Sequence, residues 1–261
     1  VTDLSARAGT PLGSSGDVVH LVVRVWLPDR PGALGQVASR IGALRGDVVA
    51  IDILERDGGR AVDELVVALP MPDGSGTPAT GVVSAGSVDL VGLLATEITQ
   101  VDGVAVEDVR VAPAERIDPS TAALELSVAL GNLRPEQRAE RLATGVHTLF
   151  EANWTSLFDL GSDLSIVELG EVPDRSWLRA FLGGSLHLSG SASSDPESFD
   201  RGPSDLAWAM FHRSPHADRQ PSVDQRDAEP VRALVIGRAS RPFHRRERHH
   251  LALLARLVPG F

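Results

Sequence analysis

The chain has 261 residues, 43% of them hydrophobic and 23% charged, a balance that fits two cores of ordinary size and confines disorder to Gly/Ser/Pro-rich tracts. It holds no Cys, no Tyr and no Lys, so all 25 basic residues are Arg; disulfides, thiolate nucleophiles, thiolate metal sites, Schiff bases and the phosphate-loop lysine are thereby excluded. The net charge is −10, with −7 over residues 1–116 (9 Arg against 16 acids) and −3 over the rest (16 Arg against 19 acids), and such a surface repels phosphate backbones, so no nucleic-acid partner is expected.

No apolar run approaches the roughly 18 to 20 residues of a membrane helix. Val1 to Gly16 also lacks the basic start and apolar middle of a signal peptide, so no membrane partner and a cytoplasmic location are expected. Residues 1–16 read as a flexible leader. From Val18 to Leu27 the odd positions Val19, Leu21, Val23, Val25 and Leu27 alternate with His20, Arg24 and Trp26, which is strand spacing. Ala33 to Arg45 places Leu34, Val37, Ile41 and Leu44 on one helical face, and Gly46 is expected to close that helix. Strands over Val48 to Glu55 and Ala61 to Leu69 follow, joined by Arg56-Asp57-Gly58-Gly59, a strong hairpin signal. A Gly/Pro-rich loop over 70–88, a helix over Asp89 to Thr99 and a strand over Val104 to Val111 complete a βαββαβ order. That order predicts an antiparallel sheet with two helices on one face. Val22 and Trp26 fall on the other face, where a second copy of the sheet is expected to pack.

Pro113 to Pro119 reads as a linker, dividing the chain into 17–116 and 117–261. Ala122 to Leu130 is apolar, and its pattern leaves its type open. A helix starts near Pro135, with Leu142, Val146, Leu149 and Phe150 on one face. Strands are expected at Ser165 to Leu169, Leu206 to His212 and Val231 to Arg238, with a helix over Asp174 to Leu182, a low-complexity loop over Gly183 to Gly202 and a closing helix over Arg245 to Val258. The two terminal helices are expected to pair against one sheet face, giving a second α+β domain.

The sharpest chemical feature is Asp29-Arg30-Pro31-Gly32-Ala33-Leu34, between the first strand and first helix. Pro31 presets the backbone for helix entry, and Gly32 removes a side chain from the approach to the helix N-terminus. The N–H groups of Gly32, Ala33 and Leu34 would receive a carboxylate or phosphate, and Asp29 would accept from an ammonium group. Read from the residues alone, Asp29 fits first as a cap for its own helix, ahead of a ligand contact. The run Arg238, Arg241, Arg245, Arg246, Arg248 reads as the solvated start of a helix. His212, His216, His244, His249 and His250 have no ligand spacing and read as solvated, so no metal and no cofactor are expected. No phosphate loop, no nucleophile elbow and no triad spacing stands out.

The sequence L-P-D-R-P-G-A-L-G-Q-V-A, followed by G-D-V-V-A-I-D-I-L-E-R within the βαββαβ order, resembles the ACT domain family over about Asp17 to Pro113. The resemblance implies a ferredoxin-like fold, a homodimer and an amino-acid effector held at the Asp29 to Leu34 turn, with Asp29 as the polar ligand contact and Gly32 as the glycine that admits the effector. The 70–88 insertion departs from the family pattern. The closing phrase A-L-V-I-G-R-A-S-R-P-F-H-R-R-E-R-H-H-L-A-L-L-A resembles GAF domains and implies a small-molecule sensor, with no individual ligand residue carried over. The function implied is that of a non-catalytic regulatory protein acting on a protein partner. The alternatives are a small α/β transferase switched by the ACT-like unit, and an ACT-like unit that only dimerises.

Overall fold

The computed structural model of the chain describes residues 18–71, 89–112, 118–189, 203–212 and 230–257. Among the described residues, six helices and two four-stranded antiparallel sheets make an α+β structure. They group into two compact units that divide between 114 and 115, with 53–55 counted in the second. The leader, the 72–88 part of the insertion and the 113–117 part of the linker lie outside the described residues.

The first unit runs β1 (Val18–Pro28), α1 (Ala33–Ala43), β2 (Asp47–Asp57), β3 (Arg60–Pro70), α2 (Leu90–Thr99) and β4 (Ala105–Val111), with sheet order β2-β3-β1-β4. That is the split βαβ arrangement which the alternation and turns predict. Gly58 and Gly59 both have positive φ, 55° and 75°, as a two-residue hairpin with right-handed twist requires. Alternation on β1 and β3 sends Leu21, Val23, Val25, Leu27, Ala61, Leu65, Val67 and Leu69 to one face, against Ala33, Val37 and Ile41 of α1 and Leu94 and Ile98 of α2. Asp89 caps α2 by accepting from Gly92 N–H at 2.9 Å. At the end of α1 the left-handed residue is Arg45, φ 59°, and not Gly46. Glycine is needed at 46 for another reason: a Cβ there would stand 2.5 Å from Leu69 Cδ2.

The opposite face of this sheet differs from the open apolar surface expected at Val22 and Trp26. Val22 is buried, Trp26 is half-buried, and the central row is ionic. Arg24 Nε donates to Glu64 at 2.6 Å, Arg110 reaches Glu64 at 3.3 Å and Asp108 at 2.7 Å, and Trp26 Nε1 donates to Glu107 at 2.8 Å. Exposed apolar side chains lie instead on the edge strand β2, at Val49 and Ile51.

The second unit runs α3 (Pro119–Gly131), α4 (Pro135–Leu149), β5 (Trp154–Asp159), β6 (Leu164–Gly170), α5 (Arg175–Ser189), β7 (Leu206–His212), β8 (Pro230–Gly237) and α6 (Arg245–Leu257), with sheet order β6-β5-β8-β7. The apolar stretch at 122–130 is helical, entered through Asp118, whose carboxylate accepts from Thr121 N–H at 2.8 Å. One sheet face packs under α3, α4 and α6 through Leu126, Leu142, Val146, Leu234, Ile236 and Leu251; both helices expected there are present, but each packs against α3 instead of forming a simple pair. The other face packs under α5 through Phe158, Leu178, Leu182, Ala233 and Val235. α5 continues through Gly183 and Gly184 to Ser189, seven residues into the expected loop, because Leu178 and Leu182 anchor it to the sheet. Strand β5 has no alternation to read: Thr155, Ser156, Leu157 and Phe158 are all buried, since it is paired on both edges and covered on both faces.

The arginine run that reads as a solvated helix start is largely interior. Arg238, Arg241 and Arg248 are all buried. Arg238 uses all five of its N–H groups: Nε to Arg241 O at 3.1 Å, Nη1 to Phe150 O and Glu247 Oε1 at 3.0 Å each, and Nη2 to Pro242 O at 2.6 Å and Glu247 Oε2 at 3.2 Å. Its guanidinium carbon lies 3.9 Å from the Phe243 ring centre. Glu247 in turn accepts from His244 N–H at 3.0 Å, half of a capping box for α6. Arg248 donates to Phe243 O and Pro203 O at 3.2 and 2.7 Å. His244 is likewise buried rather than solvated, whereas His249 is exposed.

Removing one partner of a buried ion pair strands the other and costs about 3–5 kcal/mol. Arg238→Met is therefore expected to lower the melting temperature by about 10 °C, using roughly 2–4 °C per kcal/mol for a chain of this size. The exposed Arg256→Ala should shift it by about 1 °C or less. Equal melting of the two variants in a calorimeter would contradict a structural role for Arg238.

Candidate functional site

The turn from Asp29 to Leu34 is built by the end of β1 and the start of α1. Leu27 pairs with Ala61, and Asp29 N–H donates to Gly59 O at 2.9 Å, so the turn is tied to the mouth of the β2–β3 hairpin. Arg30 N–H folds back to Pro28 O at 2.8 Å, and Gly32 then enters the helix with φ 87°. Only glycine takes that conformation without strain, although a Cβ at 32 would meet nothing within 4 Å. Space above the turn is open. Asp29, Arg30, Pro31 and Gly32 are exposed, Leu34 is half-buried, and Ala33 is buried in the core.

The helix start has no side-chain cap, so Asp29 does not cap α1. Of the three N–H donors expected here, Ala33 is engaged with Arg30 O at 3.3 Å, while those of Gly32 and Leu34 make no hydrogen bond among the described residues. Two free donors at the positive end of an 11-residue helix, with an exposed carboxylate beside them, can hold a carboxylate next to an ammonium group.

The structure adds a residue that the sequence reading passed over. Asp63 sits on β3 in the helix-facing row between Ala61 and Leu65, opposite Val25, and only 4% of it is exposed. Its Oδ1 is buried with no hydrogen-bond partner among the described residues. Burial raises its pKa above the ordinary carboxylate value; the Arg56 charge pulls it back and the Asp29 charge pushes it further up. An acid in the inward row of an otherwise apolar strand was the signal for it.

Elsewhere, three aromatic rings of the second unit pack together. Trp177 stacks on Phe181 at 5.3 Å, and Phe181 meets Trp208 edge-on at 5.0 Å. No group of three or more His, Asp or Glu side chains among the described residues could hold a metal ion, and no helix among them is long and apolar enough to cross a membrane. His216 lies outside the described residues.

The pH dependence of stability should carry the mark of Asp63. A carboxyl whose folded pKa is raised binds its proton more tightly folded than unfolded. Its contribution to stability is therefore present below the unfolded value near 3.8 and falls as pH rises through the raised folded value. Asp63→Asn is expected to melt above the wild type at about pH 7, with the gap narrowing towards about pH 3, where both side chains are neutral. A gap that stays constant across thermal melts in this range would mean that Asp63 is not held in its desolvated state.

No family model and no curated protein matches the chain. Among solved structures, an unknown protein from Galdieria sulphuraria is similar at 12% identity and a TM-score of 0.28, over 92% of each chain. A formyltetrahydrofolate deformylase from Pseudomonas putida KT2440 is similar at 14% identity and a TM-score of 0.30, over 92% of this chain and 93% of its own. At those scores neither likeness bears on this chain, and the site stands on its own geometry.

Proposed function

We propose that the chain is a non-catalytic, cytoplasmic regulatory protein that binds a free α-amino acid at the Asp29 to Leu34 turn of an ACT-like first unit. The observation that carries this reading is the open, uncapped start of α1: two N–H groups without a partner among the described residues, an exposed carboxylate three to five residues away and clear space over Gly32. The ligand carboxylate takes the helix N-terminus and its ammonium group takes the acidic side. A binding role also suits the turn's contents, which offer donors and a carboxylate but no nucleophile paired with a base. The second unit is the sensor or output part, through which a protein partner is engaged.

A homodimer belongs to the same proposal. Val49 and Ile51, on the exposed edge strand β2, supply the apolar surface that supports it. Sedimentation of the full chain at micromolar concentration should give a dimer, and Ile51→Asp should shift it towards monomer; a wild type that is monomeric throughout removes the dimer from the proposal.

The ligand is found by a thermal-shift screen of the twenty amino acids against the full chain. At one hundred times its dissociation constant a ligand adds about 2.7 kcal/mol, several degrees for a protein of this size. Asp29→Ala should weaken the successful amino acid about 10-fold, the loss of one charge-assisted hydrogen bond. Gly32→Val should abolish binding, at the additional expense of about 1–2 kcal/mol for a side chain at positive φ. If none of the twenty shifts the melt, or if the one that does ignores both substitutions, the turn is only the entrance to a helix.

A further inference from the structure

A buried carboxyl oxygen with no partner is uncommon in a folded protein, because it has given up water and gained nothing in exchange. Asp63 is such a group: among the described residues nothing hydrogen-bonds to its Oδ1. Its place in the sheet links it to the turn. Ala61 and Leu65, its neighbours on the helix-facing row, share a core with Ala33 and Val37 of the first turns of α1. Asp29 is close enough for its charge to act on Asp63, and Asp29 N–H is bonded to Gly59 beside the start of β3. Asp63 stands opposite Val25, one inward row before the Leu27–Ala61 pair from which the turn springs, so the helix start with its free donors and this carboxyl lie at the same end of the unit.

We infer that Asp63 is a second, buried ammonium-binding carboxylate of this site, sharing the cation's three donors with the exposed Asp29. The inference rests on the amino-acid reading of the turn. A primary ammonium group satisfies what is present: it is small, brings up to three donors and carries the one charge that a desolvated carboxylate lacks. A divalent metal does not fit as well, because it needs several oxygen ligands and no group of three or more candidate side chains stands here. The Arg56 charge reaches Asp63 without bonding to Oδ1, so it offsets part of the acid's charge and leaves the acceptor vacant. The ligand this describes has a carboxylate for Gly32 and Leu34 N–H and an ammonium group on the adjacent carbon for Asp63 and Asp29.

The test is calorimetric titration of the full chain and of its Asp63→Asn and Asp63→Ala variants. The titrants are the amino acid found by the screen, the same compound without its amino group, and methylammonium chloride. Both variants are expected to fold, Asp63→Asn with a higher melting temperature than the wild type at neutral pH. Each should bind the amino acid about 10-fold more weakly or worse, while the deaminated acid should bind all three proteins alike. A folded Asp63→Asn that binds the amino acid as tightly as the wild type overturns the inference and leaves the Asp29 result, and with it the amino-acid reading, intact. If no amino acid binds the wild type, that reading fails by itself and methylammonium decides the matter: a melting shift present in the wild type and absent in both variants sustains the assignment of Asp63, and an equal response in all three overturns it.

Discussion

Strand β1 is laddered along its whole length to β3, eleven residue pairs from Val18↔Pro70 to Pro28↔Arg60, and along six more positions to β4. A strand held on both edges has no freedom of register, because a slip of one residue would send every side chain to the wrong face. Leu21, Val23, Val25 and Leu27 would lose the helices, and Arg24 would be driven into them. The Arg24–Glu64 pair fixes the same register from the other side, since its ionic bond forms only when these two residues stand opposite one another. The position of the 29–34 turn follows from this. It begins where β1 ends, and the ladder sets that end against the β2–β3 hairpin to within a single residue.

The second unit solves a different problem, the closure of a core by helices that arrive from distant parts of the chain. Arg238 stands at the end of β8 and joins the last carbonyl of α4's C-terminal turn, the 241–242 backbone and Glu247 of α6. A lysine could not do this. Its three donors radiate from one nitrogen, whereas the planar guanidinium spreads five across the width of the loop. In a chain whose only strong bases are arginines, several of them have become interior fittings, with Arg241 and Arg248 serving the same loop.

Most of the first unit was legible in the sequence because its strands have one face under helices, and one covered face produces alternation. The hairpin was readable from Asp57-Gly58-Gly59, in which the positive φ values of the two glycines leave little choice of residue. β5 was not, for the opposite reason: a central strand buried on both sides carries no period, and Thr155 and Ser156 in its middle lower its apparent hydrophobicity. Charge misled in a similar way. Arg238 and His244 look like surface residues by type, and only the long-range partners, such as Phe150 eighty-eight residues earlier, make their burial affordable. In the candidate site, the turn announced itself through Asp29, Pro31 and Gly32, but the unsatisfied state of Asp63 is a property of its surroundings and has no local sequence signature beyond an acid among apolar neighbours.

The fastening of α6 by Arg238 has a consequence for how the second unit comes apart. A helix ordinarily frays from its ends, where opening takes far less than the free energy of global unfolding. Here the first turn of α6 is bonded to a side chain that also holds the end of α4 and the exit of a central strand. Releasing that turn uncovers a buried guanidinium and several carbonyls at once, so the opening of α6 at its N-terminal end is coupled to the sheet. Amides in this turn would then exchange with solvent at the pace of the β8 amides, which makes the root of the helix part of the sheet's own opening unit.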